Sequence, residues 1–259
     1  MSWKNRHCSI LLHMLAMASL LLCAISAHAS IILYGTRVVF PGAETEVTLK
    51  IFNKGKRPVL AQSWLDRGDE GESPDSIEVP FVVTPSLTRM EPGDQQMLRI
   101  IHSGQALPQD RESLFWLNVL DVPPKVENQK DSSGALALAF RTRIKLMYRP
   151  EGLPGKPRDA PKQLQWITDT VEDGQIVLKA HNMTAYIANL GRVALEAGGK
   201  TFEAGVGQVL PGETATFAFI SKANKGEHPP PQPPSGAAVV YTSVDDWGGT
   251  EGHRVELAR

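Results

Sequence analysis

The chain has 259 residues, 42% of them hydrophobic, with 27 Lys and Arg against 28 Asp and Glu, a formal net charge of −1. So even a balance is too weak and too mixed to point to a nucleic-acid partner, leaving any anion recognition to local basic clusters, and the length suits two domains better than one. With only two cysteines, Cys8 and Cys23, a disulfide-built fold is excluded as well.

Lys4 and Arg6 precede a mostly apolar run from Ile10 to Ala24, and Ala27-His28-Ala29 offers small residues at cleavage spacing. Residues 1–29 therefore read as a secretory signal peptide, cut after Ala29. Its apolar run of about 15 residues falls short of the roughly 20 that a membrane span needs, so no integral membrane segment is expected after removal. The cut takes away both cysteines and two cations, leaving a net charge of −3 and no thiol for a disulfide or a metal.

From Ser30 the pattern is short β segments between turn residues, with no long helical period. Val47, Leu49 and Ile51 alternate with Thr48, Lys50 and Phe52, while Pro41-Gly42, Asn53 to Gly55 and Pro92-Gly93 mark turns. Leu114 to Leu120, "LFWLNVL", is apolar on both faces and reads as a central strand. About seven strands are expected between Ser30 and Arg149, the number of an immunoglobulin-like sandwich. The strand ending that domain, "GALALAFRTRIKLMYRP" from Gly134 to Pro150, puts Leu136, Leu138, Phe140 and Ile144 on one face. Arg141, Arg143 and Lys145 fall on the other, because strand side chains alternate.

Prolines and glycines from Arg149 to Pro157 break the pattern and place the domain boundary, giving domains at 30–150 and 158–259. Beyond it, six β segments are expected, at Gln163 to Thr168, Gln175 to His181, Tyr186 to Leu195, Thr214 to Ile220, Ala237 to Val244 and Arg254 to Leu257. His228 to Pro234 reads as a stiff polyproline connection, and no repeat of 20 to 50 residues is evident.

The blocks "LPQDRESLFWLNVLDVPP" and "RTRIKLMYRP" resemble the periplasmic pilus chaperones of the chaperone/usher pathway. The resemblance implies an all-β protein of two immunoglobulin-like sandwiches arranged as a boomerang, located in the periplasm. Its expected partners are pilus subunits and an outer-membrane usher, with weak homodimers when no subunit is at hand. By residue, it implies that Arg37 and Lys145 clamp the C-terminal carboxylate of a subunit. Leu136, Leu138 and Phe140 form the donor strand; Glu112, Arg149 and Asp246 set the interdomain angle; Pro58, Pro85 and Leu87 face the usher. The connector from Val122 to Ala135 is of modest length and favours the short-loop subgroup. Ser86 stands where some relatives carry a second proline, and His181-Asn182-Met183-Thr184-Ala185-Tyr186 departs from the usual strand start.

Without the resemblance, Arg37 and Lys145 read equally as solvent-facing charges on half-buried strands, and the three donor residues as an ordinary core face. No enzymatic activity is expected. The chain lacks a nucleophile elbow, a phosphate loop and a dinucleotide fingerprint, and His102, His181, His228 and His253 are dispersed, so neither metal nor cofactor is expected. The acids from Asp66 to Asp75 and at Asp245-Asp246 lack a glycine-centred calcium loop and read as solvated. Asn182-Met183-Thr184 matches a glycosylation sequon that a bacterial periplasmic protein leaves bare. The structural rival is a pilus subunit or adhesin, for which a donor-like N-terminal extension and a cysteine pair are missing.

Overall fold

Alternation decides which side of each strand is buried: Leu49 and Ile51 lie in the core while Thr48 is exposed. The computed structural model describes residues 30–124, 138–171, 174–221, 223, 226–229 and 234–257. The expected signal peptide, Leu136, most of the Val122 to Ala135 connector and part of the proline run lie outside these.

Among the described residues, nine strands precede Pro150: β1 (Ile31–Leu33), β2 (Arg37–Pro41), β3 (Glu46–Asn53), β4 (Val59–Asp66), β5 (Phe81–Thr84), β6 (Leu87–Met90), β7 (Gln95–His102), β8 (Ser113–Val122) and β9 (Phe140–Arg149). They form two sheets, ordered β1-β3-β7-β5 and β2-β9-β8-β4-β6. Between the sheets lie Phe40, Ile51, Leu98, Ile100, Phe115, Leu117 and Leu146, all essentially inaccessible. Each such burial is worth about 1.5–3 kcal/mol. Nine strands replace the expected seven or so. The first segment switches sheets, β1 pairing with β3 and β2 with β9, and Pro85 separates β5 from β6.

After two 3-10 turns, Pro157–Asp159 and Pro161–Gln163, come β10 (Gln165–Thr170), β11 (Ile176–His181), β12 (Ala188–Ala197), β13 (Lys200–Val209), β14 (Thr214–Ala218), β15 (Ala238–Val244) and β16 (Thr250–Glu256). Their sheets run β10-β11-β14 and β13-β12-β15-β16, around a second core containing Trp166, Leu178, Leu195, Phe217, Val239 and Tyr241. The expected segment at Gln163 begins inside a turn, so its strand starts later, and the last strand starts earlier, at Thr250. Strand β13 was not expected at all. Its sequence, KTFEAGVGQV, carries two glycines and little alternation, and pairing with the well-patterned β12 supplies the order its own residues do not.

Two fully buried asparagines brace the halves in the same way. Asn53 donates through Nδ2 to the carbonyls of Arg57 and Met90, and its backbone exchanges bonds with Gly93 and Asp94. Asn182 donates to the carbonyls of Tyr186 and Val209, and its backbone exchanges bonds with Gly212 and Glu213. Both turns begin Pro-Gly followed by an acid. With its amide so engaged, Asn182 is a structural brace and no acceptor for sugar.

Asp66 corrects the reading of its acidic run as solvated. Its carboxylate is buried at the end of β4, paired with Arg143 at 2.5 Å and accepting from Asn118 at 2.6 Å, whereas Asp69, Glu70 and Asp75 are exposed. Burial alone would raise the Asp66 carboxyl; bonds from Arg143, Asn118 and the Gly68 N–H more than reverse this and hold it below the ordinary range. Asp245 and Asp246 are likewise engaged, the first in its own turn and the second with Arg149.

Candidate functional site

Strand β9 has two unlike halves. Along its whole length it pairs antiparallel with β8, from Tyr148 opposite Ser113 to Phe140 opposite Asp121. On its other side, β2 covers only Lys145 to Arg149, in parallel register. Among the described residues nothing pairs with that side from Phe140 to Ile144. Ile144, Leu146 and Tyr148 are buried in the first core, while Leu138 and Phe140, of the same strand parity, are 55% and 42% exposed. The apolar face thus runs out of its own sandwich and continues beside an open edge. Such an edge presents free N–H and C=O groups that template the addition of another strand.

On the opposite face, Arg141 and Arg143 sit over tryptophan rings, with guanidinium carbons 5.0 Å from the Trp64 ring centre and 4.3 Å from that of Trp116. Arg141 donates to Asn118 and Arg143 to Asp66, which ties β9 to β8 and β4. The open half of β9 is therefore held from behind. Spacing revealed the arginines, but their partner Asp66 was hidden in a run of acids.

The parallel ladder sets Arg37 directly opposite Lys145. Both reach toward the second domain. Lys145 Nζ donates to Asn189 Oδ1 at 2.7 Å, and Arg37 Nη1 donates to the Val244 carbonyl at 3.1 Å. Lys145 keeps two further donors, and Arg37 Nε, buried, has no acceptor among the described residues. The two half-buried cations thus stand side by side facing the second domain, with spare hydrogen-bonding capacity suited to a carboxylate. Burial and the neighbouring Arg37 pull the Lys145 amine down to about 8, and burial lowers Arg37 against the attraction of Asp246 and Asp245.

A direct check is available in the free protein. In a titration followed by NMR of lysine side chains, Lys145 is expected to lose its proton near pH 8 while ordinary lysines titrate near 10.4. Arg37→Met should raise the Lys145 midpoint, since a like charge is removed. A Lys145 midpoint among the ordinary lysines would contradict the buried placement.

Glu112, Arg149 and Asp246 come together where the domains meet. Arg149 Nε bonds Glu112 Oε1 at 2.5 Å, and its two terminal nitrogens grip Asp246 at 2.8 and 2.9 Å. The other Glu112 oxygen accepts from the Ile187 N–H at 2.7 Å, so one buried carboxylate, just ahead of β8, links β9 to the second domain. Burial pushes the Glu112 carboxyl above its usual value, with Arg149 and the Ile187 N–H only partly offsetting it. Arg149 resists deprotonation more than usual because Asp246 and Glu112 outweigh its burial. Pro85 and Leu87 stand at one end of the β4–β6 ladder and Pro58 at the other, with Leu87 exposed. Among the described residues there is no cluster of three or more potential metal ligands. No described helix is long and apolar enough to cross a membrane.

Comparison with known proteins accords with this geometry. Residues 30–154 match the pili and flagellar-assembly chaperone PapD N-terminal domain, and residues 159–255 the pili assembly chaperone PapD C-terminal domain. The chain is 38% identical over 226 residues to the probable fimbrial chaperone YadV of Escherichia coli K12, covering 86% of this chain and 88% of that one. It is 37% identical over 261 residues to the chaperone protein FimB/FhaD of Bordetella pertussis, covering 99% and 98% respectively. In structure it is similar to the SafB chaperone in its complex with the SafA pilin of Salmonella enterica, with a TM-score of 0.69, 30% identity, and coverage of 90% of this chain and 98% of that chain. With two immunoglobulin-like domains each matched in turn, the chain belongs to the PapD-type family of pilus-assembly chaperones.

Proposed function

We propose that this protein works in the periplasm, where it captures newly exported pilus subunits by lending them the open half of β9, and then passes them to an outer-membrane usher. The observation that carries the reading is the strand with two fates: Lys145 to Arg149 locked by β2, and Phe140 to Ile144 open beside the exposed Leu138 and Phe140. The SafB chaperone, similar in structure, is bound to a pilin, which supports the same role here. Strand addition is a general mode of recognition, of which chaperone–pilin pairs are a known instance.

In this reading Arg37 and Lys145 hold the subunit's terminal carboxylate and so fix register, because a slip of one residue would turn Leu136, Leu138 and Phe140 away from the client's groove. Leu138 and Phe140 are each already about half covered, so their remaining burial contributes only about 1 kcal/mol apiece, and the edge ladder and the anchor supply the rest. Glu112, Arg149 and Asp246 hold the domains, divided at 150 and 158, around that anchor. Pro58, Pro85 and Leu87 are assigned to usher contact. The work consists of binding and release and requires no covalent step or cofactor.

Co-expression with a pilus subunit of the same organism tests the proposal: the two should co-purify one to one, with the subunit protected from proteolysis. Leu138→Glu should leave the melting temperature unchanged, since the side chain is exposed. It should weaken subunit binding by about 3 kcal/mol or more, a hundredfold, because a carboxylate would enter an apolar groove. Unaltered affinity in this variant would remove Leu138 from the donor strand.

A further inference from the structure

The turn between β15 and β16 displays Trp247 at 94% exposure, the highest of any large apolar side chain described. The backbone beneath it is pinned by hydrogen bonds. Asp245 Oδ1 accepts from the N–H groups of Trp247 and Gly249 at 2.9 and 2.7 Å, and the Gly248 N–H reaches the Asp245 carbonyl at 3.1 Å. Next to it, Asp246 is gripped by Arg149. Gly248 sits at a φ of 88° and so close to the first domain that a Cβ there would lie 3.2 Å from Thr36 Oγ1. The fold thus fixes the base of an indole that it does not itself bury.

Trp247 borders two cavities at once. One, of about 740 Å³, contains Asn189, the partner of Lys145; the other, of about 500 Å³, contains Arg37 and Tyr34. Asp245 and Asp246 beside it are already engaged, and Glu251 is paired with Lys162. Lys156 and Arg158 line the larger cavity, and Arg37 lines the smaller one with a buried Nε that has no acceptor among the described residues and with Lys145 opposite it on the ladder, so cationic groups prevail around the indole. An occupant must therefore carry a negative charge into the cleft while offering apolar surface to the indole.

We infer that Trp247 is a cover for the terminal residue of the captured subunit, closing over the chain end whose carboxylate Arg37 and Lys145 hold. The inference rests on the anchor role proposed above. An aromatic side chain that excludes water around a charged contact strengthens it without adding a hydrogen bond. Trp247 is thereby a specificity residue for chain ends, separate from the donor strand.

The test uses an alternating Val-Thr peptide with a free C-terminal carboxylate and the same peptide amidated. The free acid should shift Trp247 emission to the blue and shield it from iodide in the wild type. Trp247→Ala, which removes no packing, should lose that signal and bind the acid about tenfold more weakly, with Trp247→Phe recovering most of the affinity. Wild-type affinity in Trp247→Ala, or unchanged emission at saturation, alongside lost binding in Lys145→Ala, would overturn the cover and leave the anchor standing. Equal binding of acid and amide by the wild type would overturn the anchor, and the cover with it.

Discussion

Lys145→Ala is expected to fold and melt like the wild type and to lose subunit capture. In the free protein the lysine contributes one hydrogen bond, to Asn189, and pays for it with burial and repulsion from Arg37. Its removal therefore should not destabilise the chain. In the complex the same removal leaves a partly dry carboxylate with Arg37 as its remaining cation. Truncating one partner of such a pair costs about 2–5 kcal/mol, roughly thirtyfold to several thousandfold in Kd. The proton adds a second signature. A lysine with its midpoint near 8 is mostly charged at pH 7 and mostly neutral at pH 9. Affinity should therefore fall about tenfold across that interval as the amine loses its proton. Lys145→Arg, permanently charged, should flatten this dependence whatever its absolute affinity. Measured Kd values that are the same for Lys145→Ala and the wild type would dismiss Lys145 as the anchor.

Much of this site was readable because it lies on one strand. The block from Phe140 to Pro150 shows by alternation which side is apolar and which is cationic, and the structure keeps both faces as expected. What alternation lacks is the extent of pairing. That β2 stops at Lys145 and leaves the next residues open depends on a parallel contact between segments more than a hundred residues apart, which no local pattern encodes. Only the resemblance to a known family joined Arg37 to Lys145 in advance. Asp66 was lost for a related reason: a carboxylate looks the same in sequence whether its neighbours are water or Arg143. Its nearest clue is that it directly follows the patterned strand Val59 to Leu65, while the acids after it follow glycine. The domain-scale similarity escaped too. Asn53 with Gly93 and Asp94, and Asn182 with Gly212 and Glu213, are one device used twice, at a separation far beyond the 20 to 50 residues of a tandem repeat.

The interdomain ion set should respond to substitution very differently from the anchor. Arg149→Ala is expected to destabilise the protein by about 3–5 kcal/mol, because it strands the buried Glu112 carboxylate without a cation. For domains of this size that is a fall of more than about 10 °C in melting temperature. Arg149→Lys should rescue little. The guanidinium spends Nε on Glu112 and both terminal nitrogens on Asp246, a planar fork that an ammonium cannot reproduce. Asp246→Ala should cost less, since its side chain is partly exposed and Glu112 keeps its partner. Function should follow geometry: Arg149 lies four residues along β9 from Lys145, about 13 Å at strand rise. Releasing the second domain moves Asn189 and Val244 away from Lys145 and Arg37. Arg149→Ala should thus broaden the solution scattering profile and weaken subunit capture with Lys145 intact, whereas Lys145→Ala loses capture with the profile unchanged. If Arg149→Ala kept both its melting temperature and its scattering profile, the ion pairs would not be what holds the two sandwiches at their angle, and the cleft would have to be shaped by the packing of Thr36 against the Gly248 turn instead.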